Sequence, residues 1–255
     1  MISADDIQGA FTACGVSRGD VLMLHADALV LAQLPPMAAE ARYAVLFDAL
    51  DDLLGPEGTL VLPAFTYSFT RSEAFDPARS PSTVGMLSEY FRTLPGVVRS
   101  GDPIFSLAAR GRLAEAIAQA DPADCFGPAS AFALLAAQGA WLACLGCSLD
   151  RITFTHFVEQ TEKVDYRYFK DFSGSVVQGE TSRLATVRYF VRDTDRPTTL
   201  NLSRLESRLI ETGRLHKAPI GRVGLSLVRA HAFHQTARGL LAEDPCALIE
   251  QGRDG

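Results

Sequence analysis

His156 and Glu159 stand three residues apart in Ile152-Thr153-Phe154-Thr155-His156-Phe157-Val158-Glu159-Gln160-Thr161-Glu162. On a helix that spacing puts both side chains on one face. An imidazole backed by a carboxylate can take a proton from an attacking amine. The stretch alone leaves two readings open. His156 is a general base, or it is a partly buried histidine satisfied by a neighbouring hydroxyl. His25 and Asp27 form a second candidate pair at the end of an apolar run. They either meet a ligand, or His25 is a sheet-end histidine bonded to backbone. Cys144-Leu145-Gly146-Cys147 has the form of a redox pair or half a zinc site. No second such pair follows, and Cys144 lies inside an apolar strand, which favours a structural thiol. His231 and His234 repeat the three-residue spacing without a third ligand, so they read as a solvated helix face. No metal site is expected.

These groups need elements to position them. Ala140 to Gly146 is a short apolar run, read as a buried strand. Asp150 or Thr153 then caps the helix that carries His156. In open α/β sheets, ligands sit at this edge, beyond the carboxyl ends of the strands. Val21 to His25 and Thr59 to Pro63 are two further buried strands. After the second comes a long loop rich in hydroxyls and aromatics, through Tyr67 to Asp76 and Ser82. Such a loop in a compact domain tends to be functional. Helices are expected over 38–54, 84–94 with Thr83 as N-cap, 112–120, and from a Ser130 cap to about Gln138. Strands alternate with helices over the first 165 residues. That pattern predicts an α/β fold: a mostly parallel central sheet with helices on both faces. A hairpin from Phe172 to Gly179, given Ser173-Gly174-Ser175, a strand over 184–192 and helices over 205–212 and 223–241 add a smaller antiparallel C-terminal part. Residues 1–255 read as one domain.

Hydrophobic residues make up 47% of the 255, enough for a sizeable core. The formal charge of −6 counts against nonspecific nucleic-acid binding, which needs basic surface. Five scattered cysteines, an odd number, argue against a disulfide framework and for a reducing cytoplasm. The first residues carry acids and no basic stretch typical of a secretory signal. No apolar run reaches the length of a membrane span. Val164 to Lys170 is dense in aromatics and bases. In an acidic chain it suits a sugar ring and a phosphate better than a nucleic acid.

Taken in order, the motifs resemble the aminoglycoside 3-N-acetyltransferase family. They are Gly19-Asp20 before the strand ending in His25, Gly58-Thr59-Leu60-Val61-Leu62-Pro63 with Phe65-Thr66-Tyr67, and Phe75-Asp76-Pro77. Pro81-Ser82-Thr83-Val84-Gly85, Phe91 to Val97 with Arg99-Ser100, Asp102-Pro103 with Phe105-Ser106, Phe126-Gly127-Pro128 and the His156 segment follow. The resemblance implies direct transfer from acetyl-CoA, the cosubstrate, to a sugar amine, without an acyl-enzyme or a metal. It puts the general base on His156, with Glu159 or Asp193 orienting it. It implies that His25, Ala26 and Asp27 line the pantetheine side. Thr66, Arg99 and Ser106 would contact the CoA arm or its phosphates, arginine offering phosphate a planar two-bond fork. Tyr67 and Asp76 would face the acceptor. The oligomeric state, a homodimer included, is left open.

Two departures stand out. Ala26-Asp27 replace the family's serines after the strand histidine, and Asp102 replaces its histidine before Pro103. The 166–170 run resembles short members associated with bacterial surface polysaccharides. A drug-modifying enzyme needs acidic surface to hold a polycation. The expected acceptor is therefore an amino sugar in surface-glycan assembly. The alternatives are an aminoglycoside antibiotic, or a CoA- or sugar-binding protein that has lost turnover.

Overall fold

A computed structural model describes residues 1–250; the last five residues of the expected 1–255 unit lie outside the described residues. The chain opens with α1 (Ala4–Ala13), held by a Ser3–Asp6 capping box. β1 (Val21–Ala26), α2 (Ala39–Leu54) and β2 (Thr59–Pro63) follow, then α3 (Met86–Arg92), β3 (Val98–Arg99) and β4 (Leu107–Gly111). Next come α4 (Ala114–Ala118), α5 (Ala131–Ala137), β5 (Trp141–Leu145) and α6 (Phe154–Thr161). The last elements are β6 (Arg167–Gln178), β7 (Thr181–Arg192), α7 (Ser203–Glu211), β8 (His216–Ile220), β9 (Val223–Arg229) and α8 (Ala230–Glu243).

Seven strands form one sheet in the order β3-β4-β2-β1-β5-β9-β8. Alternate residues of β1 feed opposite cores, as a two-residue pleat requires. Leu22 and Leu24 pack with Phe11 of α1, Phe47 of α2 and Phe91 of α3. Val21 and Met23 pack on the other face with Phe132 of α5, Phe154 of α6, Leu205 of α7 and Phe233 of α8. Continuous apolar strands and helices on both faces thus explain one another.

The sheet is mixed, not mostly parallel. Only β1–β2 and β1–β5 run parallel; β2–β4, β3–β4, β5–β9 and β8–β9 are antiparallel. The reversal before β4 has a local cause. Oδ1 of Asp102 accepts the N–H groups of Ile104 at 2.7 Å and Phe105 at 2.9 Å, which closes a turn and sends β4 back beside β2. On the other edge, residues 223–229 are a strand rather than the start of a helix. The helical spacing of His231 and His234 belongs only to α8. Their pairing is also not that of ligands: His234 Nε2 meets Glu162 at 2.7 Å.

β6 and β7 form a separate two-stranded ribbon, paired from Arg167↔Arg192 to Gln178↔Thr181. Its turn lies at Gly179, with φ 63°, not at Ser173-Gly174-Ser175. Gly174 serves packing instead: a Cβ there would sit 2.7 Å from the Phe69 ring. The ribbon joins the body through short bridges, Phe75↔Val176 and Asp124↔Arg188. Thr83 does not cap α3; its hydroxyl donates to the Phe65 carbonyl at 3.1 Å, and Gly85 precedes the helix. Among the described residues no helix is long and apolar enough to cross a membrane.

Candidate active site

β1, β2 and β5 are the parallel core, and their carboxyl ends meet at one edge. Beyond β5, Gly146 adopts φ 73° and turns the chain. A 3₁₀ turn over Leu149–Arg151 leads to Thr153 and α6. The N–H of Thr153 donates to Nε2 of His25 at 3.3 Å, so the end of β1 fixes the mouth of α6. To accept that bond the ring must be neutral. Burial keeps it so, holding its pKa at about 4. A histidine whose folded pKa lies below its unfolded value favours the folded state only while unprotonated. Its stabilisation is complete above pH 6.5 and fades as pH falls toward 4. We expect His25→Asn to flatten the melting temperature between pH 6.5 and 4, where the native chain loses on the order of 3 kcal/mol from this ring. An unchanged pH dependence of melting in H25N would refute that assignment.

His156 lies in the first turn of α6, its side chain 17% exposed. Its Nδ1 is 2.7 Å from Oε2 of Glu159, which is fully buried one turn on. The same Oε2 meets Nε of Arg167 at 2.8 Å, and Nη2 of Arg167 lies 3.1 Å from Nδ1. A guanidinium only donates and a carboxylate only accepts. The shorter, charge-assisted contact therefore sets the tautomer: Nδ1–H donates to Glu159, and Nε2 keeps its lone pair. Burial, opposed by the Glu159 bond and helped by the Arg167 charge, holds His156 below its ordinary value. At neutral pH the ring is thus a free base. Burial alone would raise Glu159; His156 and Arg167 outweigh it and hold the carboxyl below its usual range. One anion, one cation and one neutral ring make an electrically closed buried site.

Aromatic rings wall this site. Phe126 and Phe105 stand edge-on to the His156 ring, at 5.6 and 6.1 Å between centroids. Tyr189 packs on Phe105 at 4.8 Å and Tyr67 at 5.5 Å. Tyr67 sits at φ 55°, an uncommon backbone for a bulky residue. It also lines a cavity of about 510 Å³ with His25, Ala26, Asp27, Arg151 and Thr153. His156 itself does not line this cavity. The rings of Tyr67 and Phe105 connect the two.

The other candidates fall elsewhere. Asp193 does not contact His156; its carboxylate caps Asp195 and meets Arg196 at 3.5 Å on the surface. Thr66 is buried, donating to the Pro103 carbonyl at 2.8 Å. Ser106 donates to the Ala64 carbonyl at 2.8 Å and accepts from Nε of Arg99 at 3.0 Å. The Nη groups of Arg99 bind the carbonyls of Ala64, Pro77 and Ser80. Arg99 thus clamps β2 to the following loop, and burial lowers its pKa to about 10. We expect Arg99→Lys to lower the melting temperature by several degrees while the Michaelis constant for acetyl-CoA changes less than threefold. A large rise in that constant at unchanged stability would restore a phosphate role. Asp76 caps its own turn at Ala78 and Arg79, at 2.8 and 3.2 Å. Cys144 and Cys147 are free thiols, hydrogen-bonded to the carbonyls of Ser148 and His25. Arg167 lies in the basic-aromatic run expected to meet a sugar or phosphate, and instead it meets Glu159 and His156; Tyr189 carries no such signal in the sequence. A carboxylate on the buried face of α6 demands a buried cation, and Arg167, which opens β6 shortly after that helix, is the one at hand.

The comparisons agree with this geometry. The family model described as aminoglycoside 3-N-acetyltransferase matches residues 23–242. Aminoglycoside N(3)-acetyltransferase IV from Salmonella sp is 31% identical over 254 residues, covering 98% of this chain and 91% of that protein. The crystal structure of aminoglycoside acetyltransferase AAC(3)-IVa, as apoenzyme, superposes with a TM-score of 0.80 at 29% identity, covering 100% of this chain and 93% of that one. The AAC-IIIb structure, a binary complex with CoASH, gives 0.80 at 25% identity, over 94% and 96% of the two chains. The chain belongs to the aminoglycoside 3-N-acetyltransferase family, a family of acyl-CoA-dependent N-acetyltransferases.

Proposed function

We propose that the protein transfers the acetyl group of acetyl-CoA to a ring amine of an aminoglycoside, with His156 as general base. The observation that carries this reading is the 2.7 Å Nδ1 contact of His156 with Glu159, which leaves Nε2 free. The amine nitrogen attacks the thioester carbonyl. The C–N bond forms, the C–S bond breaks, and the amine proton passes to Nε2. The thiolate of CoA leaves and takes up a proton, so no acyl-enzyme is needed. The cavity at the ends of β1 and β2 suits the donor. Arg151 is the arginine it presents, and arginine matches phosphate. This use of acetyl-CoA agrees with a cytoplasmic protein.

The acceptor reading turns on charge. The basic run that argued against a polycation is weaker than its sequence suggests. Arg167 is neutralised by Glu159, which leaves Lys170, lying over the Phe172 ring at 5.1 Å. Beside the site, Asp121, Asp124 and Asp171 line a hollow of about 390 Å³ with a single base, Arg188. Arg188 is paired with Asp171. Asp124 is two residues from Phe126 and accepts from Gln160, on the turn of α6 after His156. Fixed negative charge of this kind attracts a cationic acceptor. The motive for a surface-glycan acceptor is thereby removed. A histidine-to-alanine mutant of AAC(3)-IVa was solved in complex with a gentamicin, which makes gentamicin the natural first acceptor to test.

The test is mass spectrometry of products from acetyl-CoA and a panel of gentamicin, apramycin and simple aminodeoxy sugars. A single acetyl addition to the antibiotics, with NMR placing it on the 3-amino group, is expected. Acetylation of the simple sugars alone would overturn the acceptor, and no product at all would overturn the activity.

A further inference from the structure

The hairpin supplies a residue that the histidine–carboxylate pair does not account for. Arg167 opens β6 and its side chain is 2% exposed. It is anchored by Nη1 to the Phe190 carbonyl of β7 at 3.1 Å. Its Nε and Nη2 then reach across to α6, touching Glu159 at 2.8 Å and the His156 ring at 3.1 Å. A cation wedged against both members of the pair acts on each in opposite senses. It favours the charged carboxylate and disfavours a charged imidazole.

We propose that Arg167 is the positioning residue of the reaction: anchored on the hairpin, it keeps Glu159 ionised and the His156 ring neutral, with the Nε2 lone pair free. This rests on His156 being the base. Without Arg167, a carboxylate alone beside the ring would hold the proton on the ring as a buried imidazolium–carboxylate pair. The base would then be spent before the amine arrives. With Arg167, an imidazolium formed in the transfer lies against a like charge and gives its proton up. The groups that face His156 are few. Glu159 comes from α6, Arg167 from β6, and Tyr189 and Arg192 from β7. Tyr189 lies against Arg167, and Arg192 is a second, more distant like charge. Burial first, then Glu159, holds the phenol of Tyr166 in its neutral form. Phe105 and Phe126 close the rest without charge.

The test compares kcat/KM against pH for the native protein, Arg167→Gln and Arg167→Lys, with the His156 ring followed separately by NMR titration. In R167Q the ring titrates at least one pH unit higher, and the acid limb of kcat/KM moves with it. Activity is then lower on the acid limb by up to about tenfold beyond the loss that R167K also shows, and above the ring's pKa it rises to the R167K level. In R167K, which keeps the charge and loses the fork, the limb stays near the native one while kcat falls about tenfold. A loss in R167Q that is the same at every pH, with the ring titrating as in the native protein, would overturn the proposal. So would a limb displaced in R167K as far as in R167Q. If R167Q does not fold, the R167K comparison of limb against kcat decides. His156→Asn separates the two claims: activity surviving in H156N ends the base reading, while the ring titration in R167Q and R167K still reports on Arg167.

Discussion

His156→Ala lowers the rate of acetylation about 10²–10⁴-fold, while acetyl-CoA still binds with an affinity within about threefold of native. The first half follows from the tautomer. Glu159 takes the Nδ1 proton at 2.7 Å, and the ring offers Nε2 as the base. Alanine offers none, and water in an aromatic pocket is a poor substitute. The second half follows from the architecture. The cavity assigned to the donor is lined by His25, Asp27, Arg151 and Thr153, and His156 is not among its walls. The two readouts therefore separate. Rates come from thiol release, corrected for uncatalysed transfer, and affinities from calorimetry. Native turnover in H156A ends the base assignment, and loss of acetyl-CoA binding shows that the ring belongs to the donor site instead.

Glu159→Gln destabilises the fold by about 3–5 kcal/mol, the cost of leaving a buried charge without its partner. The stranded charge is Arg167, whose side chain is 2% exposed. The loss appears in urea midpoints at pH 7 and shrinks in acid. A carboxyl held below its ordinary range stabilises the fold fully above its unfolded pKa, near 4.5, and loses that contribution as pH falls through the lower folded value. Native protein and E159Q therefore begin to converge as pH falls below about 4.5 and meet only below the folded value. A midpoint within about 1 kcal/mol of native at pH 7 would show that Arg167 finds another acceptor. The same variant loses turnover, because an amide can hold the ring but does not offset the charge that builds on it.

The sequence announced what local rules control. Apolar runs named β1, β2 and β5, and the cap at Ser130 placed α5. The i, i+3 spacing of His156 and Glu159 put base and carboxylate on one helical face. What it hid depends on distant pairing. The Gly101-Asp102-Pro103 turn between two short extended pieces is legible locally, but that the reversed strand then pairs with β2 is not. Ser173-Gly174-Ser175 resembles a turn because glycine suits turns; there it makes room for Phe69, from another part of the chain. Arg99 and Arg167 both read as surface cations suited to phosphate or sugar. Arg99 is half-buried on carbonyls and Arg167 is buried on a carboxylate, and no local pattern distinguishes those fates.

The ribbon of β6 and β7 gives the site a particular vulnerability. His156 and Glu159 ride on α6, whereas Arg167 arrives on a separate ribbon, bridged to the body at Phe75 and Asp124 and packed on its core through Val176, Val187 and Tyr189. Any excursion that lifts the hairpin withdraws the cation while the helix stays in place. On the role proposed for Arg167, readiness for chemistry depends on how firmly this ribbon stays packed. By that same role, a change at Val176 or Val187 that loosens this packing costs activity from a distance, without unfolding the rest of the chain.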